Sequence, residues 1–195
     1  YLSGQSTFKY LPQYDYIFPA IAQRVPQAQF VFIGSHISNG ITEQFHHRLK
    51  KAFASMGLNS EEYCTIVPRM TGNDYMCLNL VSDIYLDTLS WSGGNTTLQA
   101  IACNLPIVTC PGEFMRGRHS YGILKMLGVP ETIAANESEY IEIAVRLGLD
   151  PEWRQSIVQK TIENNSRVYE DKTCVVALEE FYQRVVREKQ QEQGF

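Results

Sequence analysis

Through residue 110 the chain alternates short apolar runs with longer amphipathic ones, the pattern of stacked strand–helix units on a parallel sheet. Residues 29–34 form a buried-strand run closed by Gly34. Residues 43–56 then read as a helix with Phe45, Leu49, Ala52 and Phe53 on one face and Gly57 as its stop. A strand at 63–67 is halted by Pro68, a short helix fits 74–81, and 84–87 reads as a strand ending in an acid, Asp87. A helix at 96–103 leads to a strand at 106–110. Beyond it the strand signals stop, and helices are predicted at 118–127, 137–147, 151–164 and 173–189. The expected fold is α/β: a doubly wound, Rossmann-like parallel sheet with a helical C-terminal extension. The predicted division is a main unit at 1–172 and a C-terminal helix at 173–195 that packs on it through Val176, Leu178, Phe181, Tyr182 and Val185.

With 195 residues and 44% hydrophobic content, the chain can bury a sizeable core, which argues against disorder. The formal net charge of −4 argues against broad nucleic-acid binding, which needs a basic face. No apolar run is long enough to span a bilayer, and no signal peptide opens the chain. The five cysteines Cys64, Cys77, Cys103, Cys110 and Cys174 are scattered without C-x-x-C spacing. They read as reduced, mostly buried thiols of a cytoplasmic protein. The adjacent His46 and His47 point to different helix faces and read as surface residues. The chain does not open with Met, and Tyr1-Leu2-Ser3-Gly4 reads as the end of a strand, so it is expected to be part of something longer.

In an open α/β sheet, ligands gather where strand ends feed loops into helices. The most unusual such loop runs Asp87-Thr88-Leu89-Ser90-Trp91-Ser92-Gly93-Gly94-Asn95-Thr96-Thr97. Gly93 and Gly94 let the backbone approach a ligand closely. Asn95, Thr96 and Thr97 open a helix whose unpaired N–H groups favour an anion, and the two hydroxyls add donors aimed at the same place. A diphosphate suits this arrangement. An ordinary turn with a capping Asn or Thr suits the same residues, and pattern alone does not choose. The loop matches neither the P-loop nor the dinucleotide fingerprint.

The ordered stretches Asp83-Ile84-Tyr85-Leu86-Asp87-Thr88, Gly93-Gly94-Asn95-Thr96-Thr97 and Leu105-Pro106-Ile107-Val108-Thr109-Cys110-Pro111-Gly112-Glu113 resemble the C-terminal lobe of the O-GlcNAc transferase and SPINDLY-like glycosyltransferase family. Phe8-Lys9-Tyr10-Leu11-Pro12, Arg24-Val25-Pro26 and Asn136-Glu137-Ser138-Glu139-Tyr140 extend the resemblance over nearly the whole chain. It implies one lobe of a two-lobed GT-B enzyme, preceded by a catalytic N-terminal lobe and tetratricopeptide repeats. Residues 1–172 would be its nucleotide-sugar-binding lobe, and the final helix would also meet the partner lobe. The activity implied is inverting transfer of N-acetylglucosamine from a UDP-sugar to Ser or Thr of a protein acceptor. Some relatives in the family transfer fucose instead. No cofactor or metal is expected, in keeping with the lack of an Asp-x-Asp motif.

By the same resemblance Lys9 is the phosphate-contacting catalytic residue, lying after a first strand and before a helix. Gln5 lines the site, although it stands one residue farther from Lys9 than in animal members. Backbone groups at Met70 would read the uracil edge, and Tyr75 would place a ring beside the base or serve only as a helix aromatic. Gly93, Gly94, Asn95, Thr96 and Thr97 would hold the diphosphate, and Arg118 would support the phosphates or the lobe contact. The pattern is departed from at Asn95, where animal members have histidine, and at Ala100, where they set an aspartate against the ribose. Gln99, in the place of a glutamate used by many GT-B enzymes, would bond the ribose without a charge. These departures leave the sugar open. Two rival readings remain: a GT-B lobe acting on a lipid, glycan or small molecule, and a degenerate lobe serving as a nucleotide sensor.

Overall fold

Leu2 and Ser3 are buried on both faces of a short central strand, β1, and the rest of the sheet is laid down around them. The computed structural model describes residues 1–35 and 37–192. The other strands are β2 (Phe30–Ile33), β3 (Cys64–Val67), β4 (Tyr85–Leu86) and β5 (Ile107–Val108). Their order is β3-β2-β1-β4-β5, and every pairing is parallel, with Leu2 beside both Val31 and Tyr85. This is the expected doubly wound sheet. β4 and β5 are buried throughout, as strands covered on both faces must be.

The helices are α1 (Ile17–Arg24), α2 (Asn39–Ser55), α3 (Ser60–Tyr63), α4 (Gly72–Leu80), α5 (Asn95–Ala102), α6 (His119–Leu127), α7 (Glu137–Leu149), α8 (Pro151–Asn164), α9 (Ser166–Tyr169) and α10 (Thr173–Glu192). Local chemistry explains most boundaries. The Ser38 hydroxyl accepts the Gly40 N–H, so α2 begins before residue 43, and Gly57 at φ 74° ends the segment. Thr71, Asn136 and Asp150 cap α4, α7 and α8 through their side-chain oxygens. α1 packs on α7 and α2, while α5 packs on α4 and α6.

The core on the β2 side is aromatic. The Tyr10 ring stacks on Phe45 with centroids 4.5 Å apart, and Phe18 meets Phe32 edge-on at 4.9 Å. Of the helix face read from the sequence, Phe45, Leu49 and Phe53 are buried, and His46 and His47 face solvent as expected.

Two expectations need correction. The C-terminal helix does not bury its apolar face on the main unit: Val176, Leu178, Phe181, Tyr182 and Val185 on α10 are all exposed. Periodicity specifies an apolar face, and nothing in periodicity says what covers it. Residues 193–195 of that region lie outside the described residues. Nor are the cysteines mostly buried: Cys64, Cys103 and Cys110 are half-buried, and Cys77 and Cys174 are exposed. Among the described residues no helix is long and apolar enough to cross a membrane.

Candidate functional site

β1 and β4 are neighbours whose connections leave in opposite directions, so a crevice opens beyond their carboxyl ends. A cleft of about 330 Å³ occupies it, lined by Gly4, Gln5, Ser6, Gly34, Arg69, Met70, Thr71, Tyr75, Thr96 and Gln99. Met70 and Gln99 are half-buried in its wall. Tyr75 is buried and passes beneath Gly4, its hydroxyl 3.3 Å from the Gly4 carbonyl. A Cβ at Gly4 would stand 2.5 Å from that hydroxyl, so the close approach needs glycine. Tyr75 thus serves both readings, as a buried helix aromatic and as part of the cleft wall.

Gln5 is the hub of the polar end. Its Nε2 donates to Thr96 Oγ1 at 2.7 Å and to Tyr85 Oη at 3.0 Å, and its Oε1 accepts from Lys9 Nζ at 2.9 Å. Burial holds the Tyr85 hydroxyl well above the usual phenol range, so it stays protonated. Lys9 Nζ also reaches the Ser92 carbonyl at 3.4 Å. Partial burial pulls the Lys9 pKa below the ordinary lysine value, and the charge of Asp87 pushes it back up. The segment after Lys9 is anchored by Arg48, which grips Asp15 with Nε at 2.8 Å and Nη2 at 2.6 Å and donates to the Tyr10 carbonyl at 2.7 Å.

The Gly93–Gly94 loop opens α5 as expected. Gly94 is the N-cap and offers no side chain, and the first main-chain bond runs from Leu98 N–H to the Gly94 carbonyl at 3.1 Å. The first-turn N–H groups of Asn95 and Thr96 therefore lack partners within the helix and are available to an anion. Gly93 is sterically required: a Cβ there would stand 2.4 Å from Gln5 Nε2, 2.5 Å from Thr96 Oγ1 and 2.6 Å from Thr97 Oγ1.

Thr97 departs from expectation. Its hydroxyl is aimed at Ser120 Oγ, 2.7 Å away, and the residue is fully buried, so it braces the loop and presents no donor to the cleft. Arg118 stands apart from the cleft lining. It is exposed, donates to the Gly112 carbonyl at 2.9 Å and lies over the Tyr121 ring at 4.9 Å. Asn95 is exposed at the loop edge.

Two residues without a sequence-based role complete the site. One is Tyr85, the hydroxyl partner of Gln5. The other is Asp87, whose Oδ1 accepts the Gly93 N–H and whose Oδ2 accepts the Thr109 hydroxyl, both at 2.7 Å. The signal for Asp87 was an acid closing an apolar strand. Among the described residues no group of three or more His, Cys, Asp or Glu gathers where it could hold a metal ion.

Comparison with known proteins gives a consistent picture. The family description "Glycosyl transferase family 41" matches residues 17–178. The chain is 27% identical over 108 residues to a probable UDP-N-acetylglucosamine–peptide N-acetylglucosaminyltransferase SPINDLY of Petunia hybrida, covering 55% of this chain and 12% of that one. It is 40% identical over 70 residues to the UDP-N-acetylglucosamine–peptide N-acetylglucosaminyltransferase of Caenorhabditis elegans, covering 36% and 6% respectively. The structure of a Thermobaculum terrenum O-GlcNAc transferase mutant superposes with a TM-score of 0.81 at 25% identity, covering 99% of this chain and 37% of that one. The chain thus spans only a small part of the length of the curated relatives it matches.

Proposed function

The chain belongs to glycosyl transferase family 41, and we propose that its cleft holds the UDP part of a UDP-sugar whose sugar, N-acetylglucosamine, passes to Ser or Thr hydroxyls of proteins. The observation that carries this reading is the convergence of Gln5, Lys9 and Thr96 on the open first turn of α5, at the crevice between β1 and β4. The diphosphate is held there by the N–H groups of Asn95 and Thr96 and the ammonium of Lys9. As the glycosidic bond breaks, negative charge grows on the departing β-phosphate, and preorganised donors stabilise it more than the intact donor. Lys9 and the helix terminus supply that stabilisation without a metal or other cofactor.

The uridine lies toward Met70, Tyr75 and Gln99, in the rest of the cleft. Relatives named for UDP-N-acetylglucosamine and peptide support the donor and acceptor classes. The general base and the acceptor groove belong to a second lobe, with tetratricopeptide repeats before it. α10, with its uncovered apolar face, is where that lobe meets this one. Calorimetry of this chain with UDP, GDP and NAD tests the reading. UDP should bind best, and preference for NAD, or no binding by any of the three, would remove it.

A further inference from the structure

A buried acid beneath an anion site is an electrostatic oddity. Asp87 is 3% exposed, yet its carboxylate points toward the loop proposed to take a diphosphate. Its hydrogen bonds to Gly93 and Thr109 do not explain the charge. An Asn would accept the same Gly93 N–H, and Thr109 Oγ1 can serve as acceptor for an amide. What the acid alone adds is a negative charge.

The groups facing that charge can be followed element by element. From the turn after β1 comes Lys9, the cation that acts on it. Tyr10 and Tyr85 are buried phenols that stay protonated. From α7, the Tyr140 hydroxyl donates to the Asp87 carbonyl at 2.8 Å. From just after β5 and from α6, Thr109 and Ser120 offer hydroxyls. Lys9 feels Asp87 in turn as its raising charge. A small cavity of about 20 Å³ is lined by both residues together with Tyr10, Tyr14 and Tyr140, so the two charges face a common space.

We propose that Asp87 is a positioning residue of the diphosphate site: it fixes the Gly93 N–H that sets the loop and keeps the half-buried Lys9 a cation. This rests on the diphosphate reading of the cleft. Without Asp87, partial desolvation would leave Lys9 easier to deprotonate, and a neutral amine gives a developing phosphate charge little to act on. Burial in turn pushes the Asp87 carboxyl up to about 6, so both groups carry charge near neutrality.

The test is an NMR titration of the Lys9 Cε signal in this chain, in the parent and in Asp87→Asn, which keeps the shape and deletes the charge. The Lys9 midpoint should fall by at least about half a unit in the variant. The pH at which the preference for UDP over uridine fades should fall with it, while uridine affinity holds. A folded variant with an unmoved Lys9 midpoint overturns the proposal. If Asp87→Asn does not fold, the parent alone decides. The Gly93 amide and the Lys9 Cε should then both show an inflection at the midpoint of the Asp87 carboxyl, and a Lys9 signal without it overturns the proposal. Failure of the parent to bind UDP would strike the diphosphate reading instead, and the Lys9 midpoints would still report on the coupling.

Discussion

Lys9 Nζ sits 2.9 Å from Gln5 Oε1, and the same amide donates through Nε2 to Thr96 Oγ1 at 2.7 Å. The ammonium is thus held at the mouth of α5 by a neutral partner. A neutral acceptor gives way to a phosphate oxygen more readily than a carboxylate would, because the charge-assisted bond is the stronger one. Gln5 parks the cation and also fixes the hydroxyl beside it.

Removing the cation should separate the two halves of the ligand. Lys9→Ala should weaken UDP by about 1–3 kcal/mol, the scale of a charge-assisted contact, and leave uridine nearly unchanged. Calorimetric titration of both ligands checks this. Equal losses for the two would place Lys9 away from the phosphates.

The two threonines should behave differently. Thr96→Ala removes a cleft hydroxyl and should weaken UDP without lowering the melting temperature much. Thr97→Ala breaks the buried bond to Ser120 and should cost about 1–2 kcal/mol of stability. Thermal melts alongside UDP titrations give the contrast, and identical profiles for the two variants would contradict the geometry.

Gly93→Ala should abolish the site more thoroughly than any polar deletion. The added methyl meets Gln5, Thr96 and Thr97 at 2.4–2.6 Å. All three are hydrogen-bonded, so accommodating it breaks bonds or moves the loop, at about 1–3 kcal/mol for overpacking. UDP affinity should fall at least about tenfold in a chain that still folds. Circular dichroism together with the titration checks both halves of that statement.

Legibility from sequence follows physical lines. The strands, the Gly93–Gly94 loop and the start of α5 could be read because alternation, glycine pairs and helix-opening residues act locally. Asp87 could not be assigned a role, because its partners Gly93 and Thr109 come together only when β4 and β5 are side by side. Thr97 was legible as a helix opener and illegible in its direction, which Ser120 decides. The apolar face of α10 was readable, and its lack of cover within the chain was not.

Stability should carry the signature of Asp87 through its pH dependence. Its folded-state pKa, about 6, lies above the ordinary 3.8, so the folded chain holds the proton more tightly. The stabilisation is complete below the unfolded value and disappears as pH rises through about 6. Its size is about 3 kcal/mol, from roughly two units at 1.36 kcal/mol each. Asp87→Asn lacks this titration. The stability of the variant relative to the parent should therefore rise by up to that amount between about pH 4 and about pH 7.5. Urea melts across that range measure the difference, and a constant gap would show that Asp87 does not titrate differently on folding.

Chelation should leave the UDP isotherm as it was, since the positive charge proposed to meet the diphosphate comes from Lys9, hydrogen-bonded to Gln5 of the cleft wall, and from a helix terminus. A loss of about tenfold or more after EDTA treatment, restored by Mg²⁺ or Mn²⁺, would place the chain in a different transferase chemistry.

The strand order has a consequence for how the molecule comes together. β1 lies at the centre of the sheet between β2, which follows it closely in sequence, and β4, which lies far along the chain from it. Pairing β1 with β4 closes a long loop, and such closures come late because their entropy must be met before contacts repay it. β1, β2 and β3, with α1 and α2, form one half that is able to assemble early, while the crevice between β1 and β4 exists only once the second half docks. The cleft is thus a joint between two folding halves, and a ligand seated in it selects chains in which that last step has been completed.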